Sequence, residues 1–209
     1  RLWEAALSGT VPVAEWLRRH ARPIAYSHSE RRRPLSEYQT VFARTPGSAE
    51  MPSAGRPFSL ELVAGLVARG VAFAPLVLHA GVSSLETDEL PPPERFEVPE
   101  ATARLINATR QAGGRVIAVG TTVVRAVETV AAADGAVTSG AGWTDLVLSP
   151  ERPVRAFDGL ITGWHEPRSS HLRLLESAVG HETVAAAYAA ALAEGYHWHE
   201  FGDSCLLLR

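Results

Sequence analysis

From Ser36 onward the hydrophobic pattern of this chain switches back and forth between a helical and a strand period, and that alternation constrains the fold more than any other feature. Ser36 is placed to cap a short helix through Ala43, and residues 44–58 read as a loop carrying Pro46, Gly47, Pro52, Gly55 and Pro57. Ser59 opens the amphipathic run Leu60, Leu62, Val63, Leu66, Val67, which stops at Gly70. Val71 to His79 is a buried-strand candidate, and residues 80–98, with Pro91-Pro92-Pro93, read as a long irregular connection. Pro99 to Ala112 predicts a helix ended by Gly113-Gly114. Strand Arg115 to Val119, helix Thr121 to Ala133, strand Trp143 to Leu148 and the short strand Leu160 to Thr162 follow. Ser170 to Val179 and Glu182 to Ala193 are helices, and Cys205 to Leu208 is a last apolar strand. Strands separated by helices in this way predict an α/β architecture with a mainly parallel sheet.

A chain of 209 residues holds one such domain, or one domain with an arm. Residues 1–35 have the character of an arm or return segment: Leu2 to Leu7 and Val13 to Leu17 are brief helical patterns, and Pro23 and Pro34 break any longer helix. Residues 36–209 are the α/β domain. The chain opens with Arg1 rather than methionine, which leads us to expect an upstream segment. The longest nearly apolar run, Val71 to Val82, is too short for a bilayer, and no charged-then-apolar leader is visible. A single cysteine, Cys205, excludes an internal disulfide and leads us to expect a reducing, cytoplasmic setting without membrane partners. The net charge of −3 argues against non-specific nucleic-acid binding over the whole surface. Arg18, Arg19, Arg22, Arg31, Arg32 and Arg33 nevertheless gather near the N-terminus with His20 and His28, as a solvated face or as a local phosphate-binding patch.

Three strings carry chemistry-bearing side chains at element junctions. In Arg115-Val-Ile-Ala-Val-Gly120-Thr121-Thr122-Val-Val-Arg125-Ala-Val-Glu128 a strand runs into Gly120 and a helix begins at once. Free N–H groups and the positive end of the helix dipole make that start an anion site, and Thr121 and Thr122 add hydroxyls. Arg125 and Glu128 share one helix face; the plainer reading makes them a surface salt bridge below a threonine cap. One glycine is too few for a dinucleotide fingerprint. In Gly140-Ala-Gly142-Trp143-Thr144-Asp145-Leu146, Asp145 lies in an otherwise apolar strand, so its carboxylate must be paired or at an open sheet end. In Leu160-Ile-Thr162-Gly163-Trp164-His165-Glu166-Pro167-Arg168-Ser169-Ser170, polar groups crowd the passage from strand to helix, where α/β enzymes place their sites. Alone, His165 would read as a satisfied structural histidine.

A fourth string, His197-Trp198-His199-Glu200-Phe201-Gly202-Asp203-Ser204, puts two histidines on one face of a strand, but two ligands with Cys205 out of phase do not make a metal site. Gly202-Asp203-Ser204 is no nucleophile block either, because too few residues follow Ser204 to supply a triad.

Taken in order, these strings resemble the S-adenosylmethionine:tRNA ribosyltransferase-isomerases of queuosine biosynthesis. The similarity runs from about Tyr38 to Leu208, through Tyr38-Gln-Thr-Val-Phe-Ala43, Gly47-Ser with Pro52-Ser-Ala-Gly55, Val119-Gly-Thr-Thr-Val-Val-Arg125, Gly142-Trp-Thr-Asp145, Leu160-Ile-Thr-Gly-Trp-His165-Glu-Pro and Phe201-Gly-Asp203. The resemblance implies an α/β domain like an incomplete barrel, with the family's small β-barrel domain largely absent from this chain. It implies a transferase that moves and isomerises the ribosyl group of S-adenosylmethionine onto 7-aminomethyl-7-deazaguanine at the tRNA wobble position, releasing adenine and methionine. S-adenosylmethionine would be held by Gly120, Thr121, Thr122, Arg125, Glu128, Thr162 and Trp164, with the methionine carboxylate at the helix start beside Arg125. His165, Asp145 and Glu94 would be the catalytic candidates, and no metal is expected.

The chain also departs from the family pattern. Where the family usually reads Pro-Thr-Ala-Gly-Leu-His-Phe, this chain has Pro52-Ser-Ala-Gly-Arg56-Pro57-Phe58. The family's Leu-His-Val-Gly, followed by Gly-Thr-Phe, becomes Leu78-His79-Ala80-Gly81-Val82-Ser83-Ser84, and of a histidine-rich stretch only Glu94 is kept, after Pro91-Pro92-Pro93. The partner set is therefore S-adenosylmethionine with deazaguanine-bearing tRNA or, as the alternative these departures raise, a divergent paralogue with another small-molecule acceptor.

Overall fold

The computed structural model describes residues 6–25, 33–82, 90–166 and 169–209. The pattern Leu2 to Leu7 in its first part, and His28, Arg31, Arg32, Ser83, Ser84 and Arg168, lie outside the described residues. Seven helices are named in chain order: α1 Val13–His20, α2 Leu35–Tyr38, α3 Leu60–Ala68, α4 Glu100–Gln111, α5 Thr121–Thr129, α6 Ser170–Val179 and α7 His181–Ala193. The strands are β1 Val77–His79, β2 Glu94–Val98, β3 Ile117–Val119, β4 Gly140–Thr144, β5 Gly159–Gly163 and β6 Ser204–Leu208, and Ser53–Gly55 forms a 3-10 turn.

The strands divide into two three-stranded sheets, ordered β1-β2-β4 and β3-β5-β6. The first is wholly antiparallel, and in the second only β3 and β5 run parallel. The expected mainly parallel sheet is therefore corrected to a mixed arrangement. The physical reason lies in the stretch that reads as irregular. Directly after the proline triplet, β2 alternates inward Glu94, Phe96 and Val98 with outward Arg95 and Glu97. That short strand pairs back against β1 and β4 and supplies the antiparallel sheet.

Other boundaries shift for local reasons. Only the end of Val71–His79 is strand, and Pro34 rather than Ser36 precedes α2. Helix α5 stops at Thr129 because Ala131 pairs with Val137 around a turn at Gly135, whose φ of 81° favours glycine. The β4 strand ends at Thr144, so Asp145 lies beyond it and is exposed, not enclosed in an apolar strand. Ser59 caps α3 as read, accepting from the Leu62 N–H at 3.0 Å.

Helix α5 touches strands of both sheets, β1, β2 and β4 of one and β3 of the other. Its buried Val124, Ala126 and Val127 join Phe96, Val98, Leu160, Leu174 and Leu175 in one core. Among the described residues no helix is long and apolar enough to cross a membrane.

Candidate active site

Gly120 receives the chain from β3 and starts α5 with φ 102°, a conformation other residues rarely adopt. Its N–H donates to Ile161 O of β5 at 2.9 Å, which seats the helix start against the parallel pair. Gly120, the N-cap residue of α5, has no side chain with which to cap the first turn. The 3-10 turn lies on this junction: Ala54 Cβ is 3.6 Å from where a Cβ on Gly120 would stand. Thr121 is buried and Thr122 partly so.

One residue before Ala54, Ser53 Oγ lies 2.9 Å from His199 Nε2. The His199 ring is tilted against His165 at 4.7 Å between centroids, and His165 stacks on His171 at 4.4 Å with ring planes 6° apart. His165 is buried, its Nε2 3.0 Å from Thr162 Oγ1 and its backbone N–H donating to the Tyr188 hydroxyl at 2.9 Å. Trp164 is also buried, edge-on to Tyr188 and Tyr196. Among the described residues, Trp164 Nε1 and Ser169 Oγ are buried polar atoms without a hydrogen-bond partner.

Burial first, and then the neighbouring His171 and His199, hold the His165 imidazole well below the ordinary histidine value. Burial, then Arg125, lowers His171 to about 4. Both rings are therefore neutral bases at neutral pH. The same shift has a stability consequence. Below about pH 6.5 the unfolded chain protonates His171 while the native chain does not until about pH 4. Stability is thus expected to fall as pH drops through that window, and the fall should be shallower in His171→Asn, as read by Tm at pH 7 and pH 4.5.

The three imidazoles do not form a metal site. In stacked rings the in-plane nitrogen lone pairs do not converge, and among the described residues no group of three ligating side chains is arranged around a cation. His197 and His199 also part company: the chain turns here, so His197 is exposed beside Asp203 while His199 points inward. Gly163 permits that inward position, since a Cβ there would stand 2.1 Å from His199 Nδ1. Gly163→Ala is expected to displace His199 from Ser53 with little effect on the distant core. A shifted His199 NMR resonance with Tm lowered by only a few degrees would show this.

Arg125 and Glu128 are not the surface pair of the plainer reading. Both are buried, and each has separate partners. The Arg125 guanidinium bonds the Glu94 carboxylate and the carbonyls of Leu146 (3.0 Å), Pro92 (3.3 Å) and Thr144 (3.3 Å). Glu94 also accepts from Gly81 N–H at 3.2 Å. Glu128 Oε1 accepts from the N–H groups of Arg155 and Ala156, both at 2.8 Å. These two residues tie α5 to the antiparallel sheet and to the loop before β5. Asp145 is near enough to act on the Arg125 charge, but it makes no described contact with His165.

Ser53, His171 and His199 are not placed in the site by the sequence alone, in which His199 is weighed only as a metal ligand and Ser53 only as part of the Pro52-Ser-Ala-Gly55 string. A histidine six residues beyond a junction histidine and a serine in a Pro/Gly loop carry no periodic signal of their own. At the rim, Phe201 lies under the guanidinium groups of Arg33 and Arg56 and edge-on to Tyr38. A shallow apolar groove of about 330 Å³ lies elsewhere, between α3 and β6, lined by Phe58, Leu62, Leu66 and Leu206 together with Ile161 and Cys205. Burial pushes the Cys205 thiol up to about 11, so it is not a nucleophile at neutral pH.

Two small sheets bridged by one helix, with His165, His171 and His199 gathered at the end of the parallel pair and the start of α5 nearby, define an α/β domain with a candidate site where α/β enzymes place theirs. The comparisons give the family. The model of the queuosine biosynthesis protein family matches residues 3–207, and the chain belongs to that family. It is 39% identical to the S-adenosylmethionine:tRNA ribosyltransferase-isomerase of Moorella thermoacetica, over 99% of this chain and 60% of that protein. It is 42% identical to the protein of that name from Symbiobacterium thermophilum, over 88% of this chain and 55% of that one. The crystal structure of S-adenosylmethionine tRNA ribosyltransferase from Thermotoga maritima superposes with a TM-score of 0.64 at 37% identity, covering 75% of this chain and 52% of that chain. The chain thus spans between half and two thirds of the length of these relatives.

Proposed function

We propose that this chain carries the adenosylmethionine-handling part of a tRNA ribosyltransferase-isomerase, which attaches the rearranged ribosyl group to 7-aminomethyl-7-deazaguanine at the wobble position. The observation that carries the reading is convergence. Pro52-Ser-Ala-Gly55, Gly120-Thr-Thr122, Thr162-Gly-Trp-His165 and the turn before Phe201-Gly-Asp203 are far apart in sequence, yet Ser53 meets His199, His199 meets His165 beside Thr162, and Ala54 lies against Gly120.

In this reading the methionine carboxylate sits on the first-turn N–H groups of Thr121 and Thr122, just beyond Gly120, whose own N–H is taken by Ile161 O. Thr162 and Trp164 line the adjoining space, and the indole N–H has an unused donor for the substrate. Arg125, Glu128 and Glu94 hold the frame from behind instead of touching the carboxylate, because their polar atoms already bond protein groups. The sulfonium acidifies the 5′ carbon, and His165, a neutral imidazole, removes the proton. Adenine and methionine leave as the ribosyl carbons rearrange to the epoxycyclopentane. Asp145 is exposed near Arg125, and its part in this reading is contact with the acceptor rather than proton transfer beside His165.

Incubation with S-adenosylmethionine, with and without tRNA bearing the aminomethyl-deazaguanine, tests the proposal. The expected result is free adenine and the epoxycyclopentane nucleoside only in the complete mixture. Absence of adenine under both conditions overturns it.

A further inference from the structure

Ser53, His199 and Glu200 have so far been given no part in the chemistry. We propose that His199, held by the Ser53 hydroxyl and the Glu200 carboxylate, is a second catalytic residue, which protonates the departing adenine while His165 takes the 5′ proton. The inference rests on the functional reading above and assigns it a proton donor.

The reaction needs a proton removed from one atom and delivered to another across the ribose. A single buried ring, stacked flat on His171 and bonded to Thr162, is fixed at one position. His199 is the adjoining imidazole, its centroid 4.7 Å from that of His165 and its plane tilted by 52°, so the two rings touch while their nitrogens are aimed in different directions. Their polar neighbours differ in kind. His165 has a hydroxyl, whereas His199 Nε2 has a hydroxyl at 2.9 Å and Glu200 Oε1 at 3.3 Å, the partner that a protonated imidazole requires. Two titratable groups in such unlike settings divide into base and acid. The backbone holds the donor in place: the His199 N–H donates to Trp164 O at 2.8 Å. Glu200 is itself buried, and Arg56 reaches its carbonyl at 3.4 Å.

The step balances. The 5′ C–H bond breaks, its electron pair stays on carbon and an N–H bond forms on His165. The His199 N–H bond breaks, an N–H bond forms on adenine, and the electrons of the ribosyl carbon–nitrogen bond leave with adenine. Return of the proton from His165 to His199 resets the site, and no co-reactant is consumed.

The test uses the full-length protein with S-adenosylmethionine in deuterated water, reading deuterium at the 5′ carbon and, with modified tRNA, adenine release. His199→Gln is expected to lower kcat for adenine release about 100-fold or more while KM for S-adenosylmethionine stays within about three-fold. It should keep the 5′ exchange, which His165→Gln loses together with release. Ser53→Ala should lower kcat about ten-fold, and Ser53→Thr, which restores the hydroxyl, should recover it. A His199→Gln protein that releases adenine at the wild-type rate, or that loses exchange and release together, overturns the inference. Should that variant not fold, an unchanged rate in Ser53→Ala overturns it just as well. A wild-type protein inert in both readouts overturns the functional reading itself, a result distinguishable from failure of the His199 role alone.

Discussion

Replacing Arg125 by methionine is expected to lower the unfolding free energy by about 3–5 kcal/mol. The side chains of Arg125 and Glu94 are 7% and 9% exposed. Burial lowers the Arg125 value, opposed by Glu94 and then Asp145, and burial raises the Glu94 value against the pull of Arg125 and the Gly81 N–H. Each charge is thus held in a poor solvent and tolerated because of the other. Methionine keeps much of the volume but leaves a buried carboxylate unpaired and three carbonyls without their donor. Adding Glu94→Leu to the same chain should recover a large part of the loss, since an apolar pair carries no desolvation cost. Chemical denaturation midpoints at pH 7 measure both effects. A single variant within about 1 kcal/mol of wild type would show that Arg125 is not the strut this geometry makes it.

The second large effect falls on chemistry. His165→Asn is expected to lower the rate of adenine release by about 10²–10⁴, the usual contribution of a positioned general base. Asparagine can still bond the Thr162 hydroxyl but cannot accept the proton, so the fold should survive. Because burial and the two neighbouring rings keep His165 well below the ordinary histidine value, the wild-type rate should not fall between pH 7 and 6 through this group. A folded His165→Asn protein with the wild-type rate would return His165 to a purely structural role.

Much of the site was legible in one dimension because its pieces sit at element junctions. Gly120 at the end of β3 and Thr162 to His165 at the end of β5 are marked by a change of period, and both sit at ends of the parallel pair. Asp145 was misplaced for a related reason: Trp143, Leu146 and Leu148 look like one apolar strand, yet the ladder with β2 ends at Thr144 opposite Glu94. The two small sheets were not legible, since β2 is five residues long and follows three prolines. Short strands gain their stability from partners distant in sequence.

What the sequence alone determined is the local grammar: helices α3 to α7 to within a few residues, the Gly-Thr-Thr helix start, and the family to which the ordered strings belong. Backbone preference and side-chain period act over a few residues, so they can be read there. What only the tertiary structure decided is which of those side chains meet. It turned Arg125 inward onto Glu94, separated it from Glu128, and brought Ser53, His171 and His199 around His165 across as many as 146 residues of chain. Burial and hydrogen-bond satisfaction among distant segments govern those encounters, and neither leaves a periodic trace along the chain.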